Sequence, residues 1–153
     1  MKRFISRYER IRHLRAQQED VCRAAAAARN AERATAENYR NEVLRWLDTI
    51  HNTAARDLTS GLTGGILLAM HSMMEQGEHE RHAADDALKT AEEHLRLALE
   101  NHRHARTELK TMEEIIQREQ AEHRQAQLKR EEIQLQEQAL QAYFRTRPLR
   151  SEQ

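Results

Sequence analysis

Apolar residues in the second half of the chain recur in alternating steps of four and three. From Ala84 the steps pass through Leu88, Ala91, Leu95, Ala98, His102, Ala105, Leu109, Met112, Ile116, Glu119, His123, Ala126, Arg130, Ile133, Glu137, Leu140 and Phe144, and thirteen of these eighteen positions are apolar. A period of about 3.5 residues held over some eight heptads predicts a helix with one narrow apolar seam, as in a coiled coil. Asp85/Lys89, Glu92/Arg96 and Glu114/Arg118 lie between seam positions as acid-first i,i+4 pairs, which support an exposed helix face. The first sixty residues repeat less cleanly, through Phe4, Tyr8, Ile11, Leu14, Gln18, Val21, Ala25 and Ala28, then Thr35, Tyr39, Val43, Trp46 and Ile50. The step slips near Glu32 and predicts a stutter, a local unwinding of the supercoil.

Neither glycine nor proline occurs in residues 1–60 or 78–147, whereas Gly61, Gly64, Gly65 and Gly77 share one short window. Glycine adopts the left-handed conformation that ends helices, so this window is the break. The predicted fold is all-α, a single domain of two long helices forming an antiparallel coiled-coil hairpin with the second helix longer. Helix 1 covers about 3–59, a turn region about 60–77, helix 2 begins near 66 or 78 and ends near 146, and a tail covers 147–153. Folding the chain about Thr63–Gly64 sets Ile11 opposite Ile116, Leu14 near Met112, Ala25 and Ala28 near Ala98–His102, and Tyr39 near Leu88. At a rise of about 1.5 Å per residue the arms are about 90 Å and about 120 Å long. The second arm overshoots the first, leaving about twenty residues from near Gln125 onward unpaired within the hairpin.

Composition agrees with a thin seam over a thick core. Aromatics make up 4% of the 153 residues and charged residues 33%, with 25 basic and 25 acidic side chains. Disorder also comes with low hydrophobicity, but usually with high net charge and abundant proline, and the only proline here is Pro148. Cys22 is the only cysteine, which excludes an internal disulfide or a multi-cysteine metal site. No apolar run approaches the length of a membrane span, and charges interrupt the N-terminus where a signal peptide needs an apolar stretch. A cytoplasmic location and no direct membrane insertion are expected.

Little in the sequence suggests catalysis or a cofactor. His79-Glu80-Arg81-His82 places its histidines three apart, whereas a zinc pair on one helix face needs four and a third ligand. Met70-His71-Ser72-Met73-Met74 reads as an adaptable methionine contact surface more than as a copper site. Gly61-Leu62-Thr63-Gly64-Gly65 lacks the lysine and preceding strand of a phosphate loop. Carboxylates abound, but on solvated helix faces with no pocket implied. The expectation is no enzyme, no metal and no cofactor.

Two regions exceed what a plain hairpin requires. Residues 1–15 hold Lys2, Arg3, Arg7, Arg10, Arg12 and Arg15 against Glu9 alone, and at the other end Arg145, Arg147 and Arg150 face only Glu152. Arginine outnumbers lysine 21 to 4, which favours directed bidentate contacts with an acidic partner. Nucleic acid fits poorly, because the aromatics that would stack bases are absent there except Phe4 and Tyr8, which fall on seam positions. Near the turn, Val43, Leu44, Trp46, Leu47, Ile50, Leu62, Ile66, Leu67, Leu68, Met70, Met73 and Met74 are more apolar than one seam can bury. They form a local cap on the hairpin, an exposed recognition patch, or both.

Tyr8-x-Arg10-Ile11-Arg12-x-Leu14-Arg15, an unbroken helix, a glycine-containing turn and a long charged helix ending near residue 147 together resemble the YscO/FliJ family. These are central stalk proteins of type III secretion, and the sequence looks closer to the injectisome branch (YscO, HrpO) than to the flagellar one. The resemblance implies a non-enzymatic stalk whose open end docks in the hexameric secretion ATPase and whose other end reaches the membrane export gate. It places Arg10, Ile11, Arg12, Leu14 and Arg15 at the ATPase, and position adds Arg3, Arg7, Arg145 and Arg147. Position alone assigns Val43, Trp46, Ile50, Met70, Met73 and Met74 to the gate. Secretion chaperones or a needle-length regulator are further implied partners, at the cytoplasmic face of the inner membrane, in a virulence setting. A generic coiled-coil adaptor with no secretion role is the alternative reading.

Overall fold

The computed structural model describes residues 5–61 and 63–146. Arg3, Phe4, Leu62, Arg147, Pro148 and the rest of the 147–153 tail lie outside the described residues. Two helices account for the fold: α1, Glu9–Ser60, and α2, Gly64–Thr146, of 52 and 83 residues. They fold back on each other as an antiparallel hairpin, with α2 the longer. The break is confined to a few residues after Ser60. Gly61 ends α1 with φ of 84°, the left-handed cap that a side chain would strain. Thr63 opens α2, its carbonyl accepting the N–H groups of Ile66 at 3.0 Å and Leu67 at 3.3 Å. Gly64, Gly65 and Gly77 are helical.

Gly77 earns its place by packing. A Cβ there would fall inside van der Waals distance of Leu47 Cδ2 and 3.1 Å from both Leu47 Cγ and Trp46 Cζ3. The bare backbone lets α1 side chains lie directly on α2. Next to this contact, Val43, Leu47 and Ala84 form the buried cluster of the hairpin.

Packing divides the chain into two units, Gln17–Arg106 and Met1–Ala16 with Thr107–Gln153. In the first, α2 buries Ala84 and Ala105 and half-buries Leu88, Ala91, Leu95, Ala98 and His102. In the second, Leu109, Met112, Ile116 and Glu119 continue the same steps. These are the seam positions predicted from Ala84 to Glu119. From Gln120 to Arg145 every residue is exposed.

α1 departs from its predicted seam. Ile11, Leu14, Val21 and Tyr39 are exposed, at 42%, 62%, 69% and 46%. The face that meets α2 carries Arg12 and Arg15 in one unit, and Glu19, Cys22, Ala26, Arg33, Ala36, Arg40, Val43, Leu47, Ile50, Ala54 and Asp57 in the other. Those positions keep the seven-residue repeat through the region of Glu32, where Ala26 and Arg33 are seven apart and Arg29 between them is exposed, so there is no stutter. The register differs accordingly. Arg15 pairs with Glu108 at 2.7 Å, Glu19 with His102 at 2.8 Å, and Arg40 with Asp85 at 2.5 Å. Where the predicted register sets Leu14 near Met112, Arg15 meets Glu108, about one helical turn earlier on α2. The physical reason is that small side chains with cross-helix polar pairs fill a narrow seam, and the larger aliphatic residues one position away turn outward.

Candidate partner-binding surfaces

At the start of α1 the chain is anchored by Ser6, a buried polar residue. Its Oγ accepts the Tyr8 N–H at 3.1 Å and donates to Glu119 Oε2 at 2.6 Å. Arg7 lies over the Tyr8 ring and 3.2 Å from Glu119 Oε1. Glu9 sits in the first turn, where a carboxylate suits the helix dipole, and pairs with Arg12, whose guanidinium it holds above its ordinary pKa. The arginine cluster is thus divided: Arg7, Arg12 and Arg15 make ion pairs within the hairpin, whereas Arg10 is exposed. Ile11 and Leu14, outward beside it, make an apolar strip flanked by arginine. A shallow groove is lined by Glu9, Arg10, Arg12, His13 and Leu14, and another by Ile5, Arg7, Glu119, Glu122, His123 and Ala126.

On α2 beyond Glu119, Ile133, Leu140 and Phe144 continue the seam face with 54%, 56% and 67% exposure. Leu128 and Leu135 are exposed as well, on a second face. Their seven-residue spacing is visible in the sequence but lies off the seam that runs from Ala84. Arg145, the basic residue of the last turn, is exposed.

In the unit that holds the turn, the six residues assigned to a tip surface separate into layers. Val43 and Ile50 are buried, Met70 and Met74 are half-buried, and Trp46 and Met73 are exposed at 37% and 45%. A cap and a patch are both present. Leu58, Ile66, Leu67 and Leu68 add exposed apolar surface beyond those six residues.

The polar layers of the seam carry the perturbed carboxyls. Glu19 is held below its usual range by the hydrogen bond from His102, and Asp85 by that from Arg40. Tyr39, donating to Glu80 at 2.8 Å, has its phenol pushed up. These groups join the two helices. Among the described residues no cluster of three or more His, Cys, Asp or Glu side chains is placed to hold a metal ion. Nor is any described helix long and apolar enough to cross a membrane.

No curated protein and no solved structure matches the chain. The model of one family does, "Flagellar FliJ protein", over residues 4–148, which takes in the arginine-flanked strip, the turn and the exposed end of α2. A two-helix hairpin matched over nearly its whole length in this way belongs to the FliJ family of structural components of protein-export machinery.

Proposed function

We propose that the chain is the central stalk of a type III protein secretion apparatus of the injectisome branch. Its arginine-flanked strip and the exposed end of α2 dock in the hexameric secretion ATPase, and its turn reaches the membrane export gate. The protein then works at the cytoplasmic face of the inner membrane without catalysing a reaction, and secretion chaperones or a needle-length regulator are further partners. The family match supports a part in protein export, and the injectisome branch rests on the sequence resemblance alone. At residue level the outward turn of Ile11 and Leu14 beside Arg10 supports the docking, because side chains spent in the intramolecular seam could not meet a partner. Arg145, Ile133, Leu140 and Phe144 extend that surface on α2, and Arg3 and Arg147 continue it in sequence. At the turn, Trp46 and Met73 are the contact residues, with Met70 and Met74 beside them and Val43 and Ile50 supporting from beneath.

Capture by the purified ATPase tests this. Arg10→Glu with Leu14→Ser leaves helicity unchanged, since both side chains are exposed, and lowers capture at least tenfold. Undiminished capture by this variant would remove the strip from the docking surface. Preference for a flagellar over an injectisome ATPase would overturn the branch.

A further inference from the structure

We propose that the apolar end of the hairpin, Leu58 with Ile66, Leu67 and Leu68, seats in the interfacial layer of a lipid bilayer. This is a shallow contact with the membrane surface and not a span, and it goes beyond the gate contact proposed above.

The first observation is charge. One residue in three of this chain is Asp, Glu, Lys or Arg, yet the seventeen residues from Leu58 to Met74 contain none. The helix ends show the same bias. α1 opens with Glu9 and α2 closes with Arg145, each complementing its helix dipole, whereas α1 ends at the turn with no basic residue and α2 begins there with no acidic one. Complementary charges are favourable in water and costly in a low-dielectric layer, so their omission at these two ends alone suits lipid.

The second observation is that the turn satisfies part of its own backbone. Thr59 Oγ1 donates to the Arg56 carbonyl at 2.5 Å and Ser60 Oγ to the Asp57 carbonyl at 2.9 Å. Thr63 O takes the Ile66 and Leu67 N–H groups. Backbone groups left open are what bars most turns from apolar surroundings.

The third is the distribution of apolar surface. Ile66, Leu67 and Leu68 are consecutive, about 100° apart around the helix, and exposed at 47%, 43% and 73%, with Leu58 at 61% beside the turn. A protein groove takes one stripe of a helix, whereas lipid accepts apolar surface on every side. Arg56 and Asp57 on α1 and Glu75 on α2 set the depth, about 5–10 Å. Trp46, packed on Gly77, stays outside. Arg56 and Asp57 cancel, so anionic lipid is not required.

Flotation of the full chain with phosphatidylcholine vesicles tests the proposal. The protein floats with them, with or without added phosphatidylglycerol. Leu68→Asp, at an exposed position, reduces flotation roughly tenfold or more without loss of helicity. A fluorophore on Leu68→Cys in a Cys22→Ser background is quenched by spin-labelled lipid, and Trp46 is not. Failure to float on phosphatidylcholine overturns the proposal. So does binding that needs phosphatidylglycerol, falls with salt and ignores Leu68→Asp, which would move the lipid contact to the arginine-rich start of the chain. Loss of binding to the gate's soluble domain in Leu68→Asp, with no vesicle binding by the parent, would assign the turn to a protein pocket. The assay contains no ATPase, so its outcome is independent of the stalk reading.

Discussion

The contact of Gly77 with Leu47 sets up a reversal of sign. A methyl at Gly77 would press on Leu47 Cδ2 and lie 3.1 Å from Leu47 Cγ and Trp46 Cζ3. Leu47 has little room to swing away, being 4% exposed and packed with Val43 and Ala84. Overpacking of this kind costs about 1–3 kcal/mol, while alanine is favoured over glycine inside a helix by about 1 kcal/mol. Gly77→Ala is therefore expected to destabilise the hairpin by about 1 kcal/mol net. Leu47→Ala costs about 2–5 kcal/mol alone. In that background the Leu47 contacts are gone, the 3.1 Å approach to Trp46 Cζ3 is relieved by a small shift of the partly exposed indole, and Gly77→Ala stabilises by about 1 kcal/mol. The coupling, about 2 kcal/mol, is well above the scatter of additive pairs. Urea unfolding of the four proteins, followed by far-UV circular dichroism and Trp46 fluorescence, measures it. Stabilisation by Gly77→Ala in both backgrounds, with additive effects, would refute close approach as the reason for glycine at this position.

Two further outcomes follow from the seam. Glu19 and Asp85 have folded pKa values below their ordinary 4.5 and 3.8, so the stability each adds is complete above those values and drains away as pH falls beneath them. Glu19→Gln and Asp85→Asn are each expected to flatten the unfolding midpoint against pH in that acid range, and unchanged acid limbs would show that the pairs contribute nothing. Register is tested with a short bis-maleimide in a Cys22→Ser background. Glu19→Cys with His102→Cys closes within one chain faster than Leu14→Cys with Met112→Cys, and the opposite order would restore the fold point at Thr63–Gly64.

The seam of α2 was legible because Leu88, Leu95, Leu109, Met112 and Ile116 sit among charges at heptad spacing, and no competing stripe runs beside them before Glu119. α1 misled for a physical reason. Hydrophobic pattern assumes that the apolar stripe is the buried one, but Arg12, Arg15, Glu19 and Arg40 pair across the seam or lay their stems along it. With those positions discounted as polar, Ile11, Leu14, Val21 and Tyr39 formed the next best stripe, and joining it to Val43 and Ile50 required a stutter that the helix does not have. The residue pattern set Ile11 and Leu14 in the seam while the resemblance assigned both to a partner, and the helix leaves both exposed. At the turn, apolar excess was plain from composition. Which members are buried depends on Gly77, whose role rests on what crosses it and leaves no mark in local pattern.

The bare length of α2 past Glu119 has a consequence for how it responds to a partner. Its residues to Arg145 are all exposed, so helicity there rests on Gln, Ala, Leu, Glu and Arg, which favour the helix state only slightly. Nucleation, the costly step for a free peptide, is already supplied by the packed turns upstream. What remains is propagation, with each added residue nearly neutral in free energy. The end of the helix thus behaves as a movable front. A grip on Ile133 stiffens everything back to Glu119, and a grip on Phe144 stiffens the whole stretch. A glycine introduced at Gln127 would weaken only what lies beyond it.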